Sequence, residues 1–172
     1  EAAAATDVEP TPTPIPATQA AFRLVNGDVY VATLDPVTGA TTSDLVYDTS
    51  DDELEAAIGM SWLNGLVGVV DTNGDIVTVD PETNDTERLY VAGDDANPAV
   101  EVAAYLNRIA VRTDIGDVLA IDRIEPTDPE DVVKLWDAAE QDTAATDIDS
   151  VGDLLAFVTS DGFVRLAFAN DS

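Results

Sequence analysis

The chain has 172 residues, with 7 lysines and arginines against 35 aspartates and glutamates, and a formal net charge of −28. It contains no cysteine and no histidine, which excludes disulfides, thiolate metal sites, thiol nucleophiles and imidazole bases. A negative charge of this size repels the phosphates of nucleic acids and anionic membrane surfaces, so neither is an expected partner.

The apolar composition favours a folded domain built from β-strands. Hydrophobic residues make up 45% of the chain, and valine, isoleucine, leucine and alanine occur beside abundant threonine. No apolar run approaches the ~20 residues that a membrane helix needs, so membrane insertion is not expected. An acidic surface with a single lysine, Lys134, is typical of two settings. One is a secreted or cell-surface protein, and the other is adaptation to high salt, where screening removes self-repulsion.

Residues 1–20 are predicted to form an extended N-terminal tail. The segment is rich in alanine, threonine and proline, and its prolines recur at every second position over 10–16. One interpretation is a spacer of the polyproline type. The other is an edge strand or donor strand. Alternate residues of an extended chain direct their backbone groups to the same side, so the prolines remove donors from one edge only. The opposite edge keeps those of Thr11, Thr13 and Ile15.

Residues 21–172 are predicted to form one domain of four repeats. Each repeat contains a tight hairpin signal, Asn-Gly, Gly-Asp or Asp-Gly, between two apolar strands. The turn glycines are Gly27, Gly74, Gly116 and Gly162. Subtracting successive positions gives spacings of 47, 42 and 46 residues, which indicate a repeat of nearly constant length.

Each repeat holds further strand signals on both sides of its hairpin. An Asp-Pro turn follows the first hairpin at 35–39 and the second at 80–84. The remaining strand candidates are 44–48, 88–92 and 133–137 after the hairpins and 59–63, 102–106 and 145–149 before them. The unit is therefore four short antiparallel strands. The best helix candidate is one turn or two at 51–59.

A period of ~40–50 residues with four strands is typical of one blade of a β-propeller. The pattern resembles WD40-like and TolB-type propeller repeats, in which a loop such as WLNG, a strand, a tight turn, a strand such as IVTVD and an Asp-Pro turn follow one another. Trp136-Asp137 ends a strand where WD40 repeats place their namesake pair, but it occurs once and no Gly-His pair exists. The resemblance implies an all-β, four-repeat antiparallel propeller-like domain of an extracellular, non-catalytic type.

The fourth repeat ends after its third strand, which leaves the position of an outer strand open. An exposed edge of this kind pairs readily with another segment. Three solutions stay open: the chain's own tail closes a four-bladed ring, a neighbouring copy donates its tail, or the chain is a fragment of a longer propeller. The predicted assembly residues are Thr11, Thr13 and Ile15 of the tail and Phe163, Arg165 and Ala167 of the last strand.

Asp71, Asn73 and Asp75 place three oxygen ligands within five residues, a composition that suits calcium. The spacing is not that of an EF-hand, and a plain Asn-Gly hairpin explains the same residues. A second acidic cluster over 48–53 is interpreted as a solvated loop. We expect no cofactor, with calcium at the three hairpin residues as the alternative. No catalytic residue is predicted, because 35 acidic residues make any single carboxylate pair uninformative.

Tyr47, Tyr90 and Trp136 occupy comparable positions in the strands that follow the hairpins. Packing between blades is one interpretation, and a rim of rings that binds sugars or partner chains is the other. Asn84 and Asn170 fit the N-glycosylation pattern, which is frequent by chance.

These observations predict a secreted or cell-surface module that binds partners or builds structure without catalysis. Its most concrete form is a fibre, layer or adhesion component whose copies associate by edge-strand donation. The expected partners are further copies, other surface proteins or glycans. Two alternatives stay open: a propeller enzyme that acts on glycans through carboxylates and a divalent cation, and a monomeric ligand-binding head on a stalk.

Overall fold

A computed structural model describes residues 18–51, 54–63, 65–93, 97–105, 108–122, 132–151 and 154–167. These residues form short strands and one four-residue helix. The strands are β1 (Thr18–Arg23), β2 (Val29–Leu34), β3 (Thr41–Tyr47), β4 (Ala57–Leu63), β5 (Leu66–Asp71), β6 (Ile76–Val79), β7 (Thr86–Tyr90), β8 (Ala99–Tyr105), β9 (Arg108–Thr113), β10 (Val118–Asp122), β11 (Val133–Trp136), β12 (Ala145–Val151), β13 (Leu154–Thr159) and β14 (Val164–Ala167), and the helix is α1 (Ala138–Gln141).

The strands form four separate antiparallel sheets, each in chain order: β1–β3, β4–β7, β8–β11 and β12–β14. Each sheet contains one of the four predicted hairpins and the strands predicted around it. The expectation of an all-β, four-repeat antiparallel architecture is confirmed. We refer to the sheets as the first to fourth blades.

The strands of different blades correspond when they are counted from the turn glycine. β4, β8 and β12 begin at 57, 99 and 145, and the glycines at 74, 116 and 162 each follow 17 residues later. These three are the first strands of their units, here called the inner strands. By the same count β1 corresponds to β5, β9 and β13. The first blade is therefore described from its second strand onward, and the fourth blade as far as its third.

The turns follow from glycine at the hairpin tips. The four turn glycines have φ values of +98°, +81°, +87° and +84°, in the left-handed region that side chains with a Cβ disfavour. In the second blade, Asp71 N donates to Asp75 C=O at 3.1 Å and Gly74 N donates to Asp71 C=O at 3.0 Å. The predicted Asp-Pro turns are also present, since Gly39 N donates to Asp35 C=O and Asn84 N donates to Asp80 C=O, both at 2.8 Å.

The core consists of three layers, one between each pair of consecutive blades. Aliphatic side chains from facing sheets fill the first two layers, and alanine and aromatic side chains contribute more to the third. Burying one valine, leucine, isoleucine or phenylalanine side chain contributes about 1.5–3 kcal/mol. Representative buried residues are Val29, Val67 and Val69 in the first layer, Val70, Ile76 and Ile109 in the second, and Tyr105, Val118 and Phe157 in the third.

Two details differ from the sequence-based predictions. The helix candidate at 51–59 was wrong for its described residues: 54–56 have no regular structure, and Ala57 begins β4, where it is 2% exposed. Packing between blades outweighed the local helix propensity of this alanine-containing stretch. The helix lies at α1 instead, where the Asp137 side chain accepts N–H groups of Ala139 and Glu140.

The first strand begins at Thr18, so residues 18–20, which the prediction placed in the tail, belong to β1. Residues 1–17 lie outside the described residues. Among the described helices, none has the length and apolar character to cross a bilayer.

Candidate functional site

One carboxylate recurs directly after the turn glycine in the first three blades. In each case it accepts the backbone N–H of a residue just beyond the outer strand of the same blade. The pairs are Thr49 N to Asp28 at 3.0 Å, Ala92 N to Asp75 at 2.8 Å and Ala138 N to Asp117 at 2.8 Å. The second oxygen of Asp75 pairs with Arg88 at 3.3 Å, and that of Asp117 pairs with Lys134 at 2.8 Å. These carboxylates are structural ties between the hairpin and the outer strand.

The aromatic residues at the ends of the outer strands make a second recurring contact. Each donates to a backbone carbonyl two residues before the next inner strand. The donors and acceptors are Tyr47 OH to Glu55 C=O at 2.6 Å, Tyr90 OH to Asn97 C=O, and Trp136 Nε1 to Thr143 C=O at 2.8 Å. Tyr47 is 0% exposed and Tyr90 5%, and burial raises the pKa of Tyr47 to about 12. The packing interpretation of these rings is confirmed.

The residues proposed for calcium lie together at the tip of the second hairpin. Asp71 is fully buried, and its Oδ1 accepts N–H groups of Asn73 at 2.9 Å and Asp75 at 3.0 Å. Its Oδ2 is buried without a hydrogen-bond partner, and burial raises the pKa of this carboxyl group. Both oxygens of Asp75 are engaged by Ala92 and Arg88. Within the described ranges, no group of three or more acidic residues is arranged to hold a metal. Calcium binding here stays a prediction.

A cavity of about 260 Å³ lies across the three inner strands. The wall combines β4, β8 and β12 and is lined by Gly59, Met60, Ser61, Val100, Glu101, Val102, Ala103, Ile148 and Asp149. Glu101 Oε2 accepts from Arg112 Nε at 2.6 Å and from the backbone N of Ile148 at 3.1 Å, so it ties β8 to β12. The sequence predicted these strands but not the cavity, because its wall exists only once three blades are packed side by side.

Of the predicted assembly residues, Arg165 and Ala167 lie on β14 and Phe163 lies directly before it. Thr159 N donates to Phe163 C=O at 2.9 Å, and Arg165 and Ala167 stand opposite Phe157 and Leu155 of β13. Bonded pairs alternate along an antiparallel ladder. The backbone groups of Phe163, Arg165 and Ala167 therefore face β13, and those of Val164 and Leu166 face the open edge. The tail residues Thr11, Thr13 and Ile15 lie outside the described residues, and so does Asn170.

No protein-family model matches the sequence, and no curated protein matches it. Solved structures do match. The chain aligns with human WBSCR16 at a TM-score of 0.63 and 11% identity, covering 88% of this chain and 46% of that one. It aligns with the Cps50 (Swd1) β-propeller domain of Myceliophteria thermophila at a TM-score of 0.55 and 12% identity, covering 89% of this chain and 52% of that one. It aligns with the computationally designed Ika4 protein at a TM-score of 0.52 and 14% identity, covering 88% of this chain and 91% of that one.

The fold therefore belongs to the β-propeller class, as the repeat pattern predicted. The chain spans about half the length of WBSCR16 and of the Swd1 propeller domain. At these identities the likeness concerns the fold alone.

Proposed function

We propose that this protein is a non-catalytic binding module that holds a basic side chain of a partner polypeptide in the cavity across its inner strands. The observation that carries the proposal is the position of Ser61, Glu101 and Asp149 around this cavity. The three residues come from three different blades, so the site forms only when the blades pack together.

The size of the cavity favours one side chain over a free small molecule. Its volume of about 260 Å³ lies below the ~300–1,000 Å³ that small-molecule sites occupy. The charge favours a lysine or arginine, because a protein of net charge −28 attracts cations over long range. Glu101 is already paired with Arg112, and Asp149 Oδ1 accepts the N–H of Ser150 at 2.7 Å. The Oδ2 atom of the exposed Asp149 is therefore the main anionic contact for a ligand.

The test is titration of the amidated peptide Gly-Gly-Arg-Gly-Gly by calorimetry at physiological salt. Asp149→Asn should weaken binding at least fivefold, while Asp44→Asn, which removes the same charge from the exposed part of β3, should change it less than twofold. Met60→Trp should abolish binding by filling the cavity. Equal losses in the two Asn variants would show non-specific attraction and overturn the proposal.

The absence of catalysis is part of this proposal. The buried carboxylates of the described part of the chain are Asp71, Asp75 and Asp117, and all three accept backbone N–H groups. These carboxylates hold the hairpin and the outer strand within their own blades. The competing hypothesis is a glycan-active propeller enzyme that uses carboxylates and a divalent cation. If it holds, the protein should release reducing sugar from a glycan, and EDTA should suppress that release.

A location outside the cell is likewise proposed. It is supported by the acidic, lysine-poor composition and by the proline- and threonine-rich segment at 10–18. Detection of the protein in the medium or on intact cells with an antibody would support it. Recovery only after lysis would contradict it.

A second candidate function, assembly into a surface fibre or layer by strand donation, rests on the outward backbone groups of Val164 and Leu166. A tail strand would pair there through the N–H groups of Thr13 and Ile15. The double change Thr13→Pro and Ile15→Pro removes those donors and should abolish assembly. The matched control Ala2→Pro with Ala4→Pro should leave it intact.

A further inference from the structure

The outward face of the fourth blade has the residues of a blade junction, but no blade formed by the described residues packs against it. An apolar residue lies two positions after the turn glycine in every blade. Val29, Ile76 and Val118 are all 0% exposed, because the following blade covers them, whereas Val164 of the fourth blade is 65% exposed. At the last inner-strand position, Leu63 is 0% and Tyr105 4% exposed, whereas Val151 is 79% exposed.

The turn glycines show the same contrast. A Cβ on Gly27, Gly74 or Gly116 would lie 2.4–2.7 Å from a Cβ of the next blade's leading residues, but a Cβ on Gly162 would meet nothing within 4 Å. Gly162 therefore keeps the geometry of a packed junction at a position where the described chain supplies no neighbour.

The outward face of the first blade is the other half of such a junction. Five positions before the turn glycine, Val69, Val111 and Phe157 are at most 4% exposed, whereas Phe22 is 39% exposed. Phe22 stacks on Tyr30, with ring centroids 5.6 Å apart. Leu34, on the same face of β2, is also 39% exposed. An apolar surface of this kind is typical of an interface.

We infer that a second copy of this chain covers both faces: the fourth blade of each copy packs on the first blade of the other. The two faces are the two sides of one repeated junction, so they are complementary to each other, and a head-to-tail contact that repeats after two copies closes a ring. The length of the chain agrees with such a ring. The chain covers 52% of the Swd1 propeller domain, so a second copy would supply the other half.

The contact differs from strand donation because it joins the flat faces of the sheets and not their edges. It needs no residue of the tail and does not depend on the proposed peptide site. Each copy carries a charge of −28, so copies repel at low ionic strength. Since screening shortens this repulsion to about 3 Å at 1 M salt, association should strengthen as salt is added.

The experiment measures the mass of the full chain by light scattering over a concentration series at low and high salt. The expected species has twice the monomer mass of 18.1 kDa. Val164→Glu and, separately, Phe22→Glu should each return it to a monomer. Leu34→Glu repeats the test on the first blade in case Phe22→Glu fails to fold. The control Val37→Glu changes a residue that is 83% exposed in the β2–β3 turn and should leave the dimer unchanged.

Mixing the two variants identifies the head-to-tail arrangement. Each variant alone has only damaged junctions, but a Phe22→Glu chain together with a Val164→Glu chain restores one intact junction, so the mixture should regain dimer. The Thr13→Pro, Ile15→Pro protein should still dimerise. A monomer at every salt and concentration would overturn the inference. So would a dimer that survives both face variants, or a dimer sensitive only to Val164→Glu, which would mean symmetric pairing.

Discussion

The third and fourth blades have the same hairpin but differ at the residues that face the following blade. In the third blade, Asp117 follows the turn glycine and ties the hairpin to the outer strand. In the fourth blade that position is Phe163, which is 62% exposed. Gly116 lies against Ala144, whereas no described residue lies within 4 Å of a Cβ placed on Gly162. The turn glycine therefore serves two purposes, local turn geometry and the approach of the next blade, and the aspartate holds the outer strand.

The greatest loss of stability is expected at the turn glycine of the third blade. Comparing it with the turn glycine of the fourth blade distinguishes turn geometry from blade packing. Gly116→Ala adds a Cβ that would lie 2.4 Å from Ala144 Cβ, at a φ of +87°. Overpacking and backbone strain together should cost about 2–5 kcal/mol. Gly162→Ala, at a φ of +84° without a near neighbour, should cost only about 1–2 kcal/mol. Urea unfolding below the concentration of self-association measures both, and equal losses would mean that the turn alone requires glycine.

The next effect concerns the tie between hairpin and outer strand. Asp117→Ala removes the acceptor for Ala138 N–H and the partner of Lys134. Because a charged, buried acceptor is lost, we expect a loss of about 2–3 kcal/mol. Phe163→Ala is the matched change in the fourth blade and should cost under about 1 kcal/mol, since that side chain is exposed. A comparable loss in both variants would contradict the assignment of Asp117 as a tie.

A smaller effect, a gain in the free energy of unfolding, is expected at Asp71. The equivalent residues of the third and fourth blades are Thr113 and Thr159, and Thr113 Oγ1 accepts the N–H of Asp117 at 3.1 Å. Asp71→Thr keeps this type of bond and removes a buried carboxyl group with an unpartnered oxygen. We expect a gain of about 1 kcal/mol at neutral pH, measured by thermal or urea unfolding.

The pH dependence gives this prediction a second readout. Burial raises the pKa of Asp71 from its usual 3.8, so the folded state favours the protonated form and ionisation destabilises the fold. The gain from Asp71→Thr should therefore be full at neutral pH and disappear as pH falls through the raised pKa towards 3.8. A variant that is less stable than the wild type at neutral pH, but only when calcium is present, would instead support calcium at this hairpin.

The smallest effect concerns the cations beside the tied aspartates. Arg88 and Lys134 pair with Asp75 and Asp117, and both side chains are more than 40% exposed. The corresponding residue of the first blade is Leu45, opposite Tyr30 in the register. Arg88→Leu, which copies the first blade, should cost at most about 1 kcal/mol and less at high salt. A loss above 2 kcal/mol would show that Asp75 requires its counter-ion.

The repeat was predictable because its signals are local. Turn glycines, Asp-Pro turns and alternating apolar residues each act within a few residues, and all four hairpins were found from them. The helix prediction at 51–59 was wrong because Ala57 belongs to a strand that pairs with β5 and packs against the first blade. The cavity was missed because Ser61, Glu101 and Asp149 are far apart in sequence and meet only across three blades.

The number of blades, their strand order and the four turn-glycine hairpins follow from the amino-acid sequence, since they depend on periodicity and turn chemistry. The packing of the blades adds what local signals do not contain: which residues are buried between blades, that Tyr47 and Tyr90 are packing residues, and that the two end faces expose apolar side chains among the described residues. The physical reason is that burial depends on what lies on the other side of each sheet. Gly162 and Val164 have the same local sequence role as Gly116 and Val118, and they differ only in their neighbours.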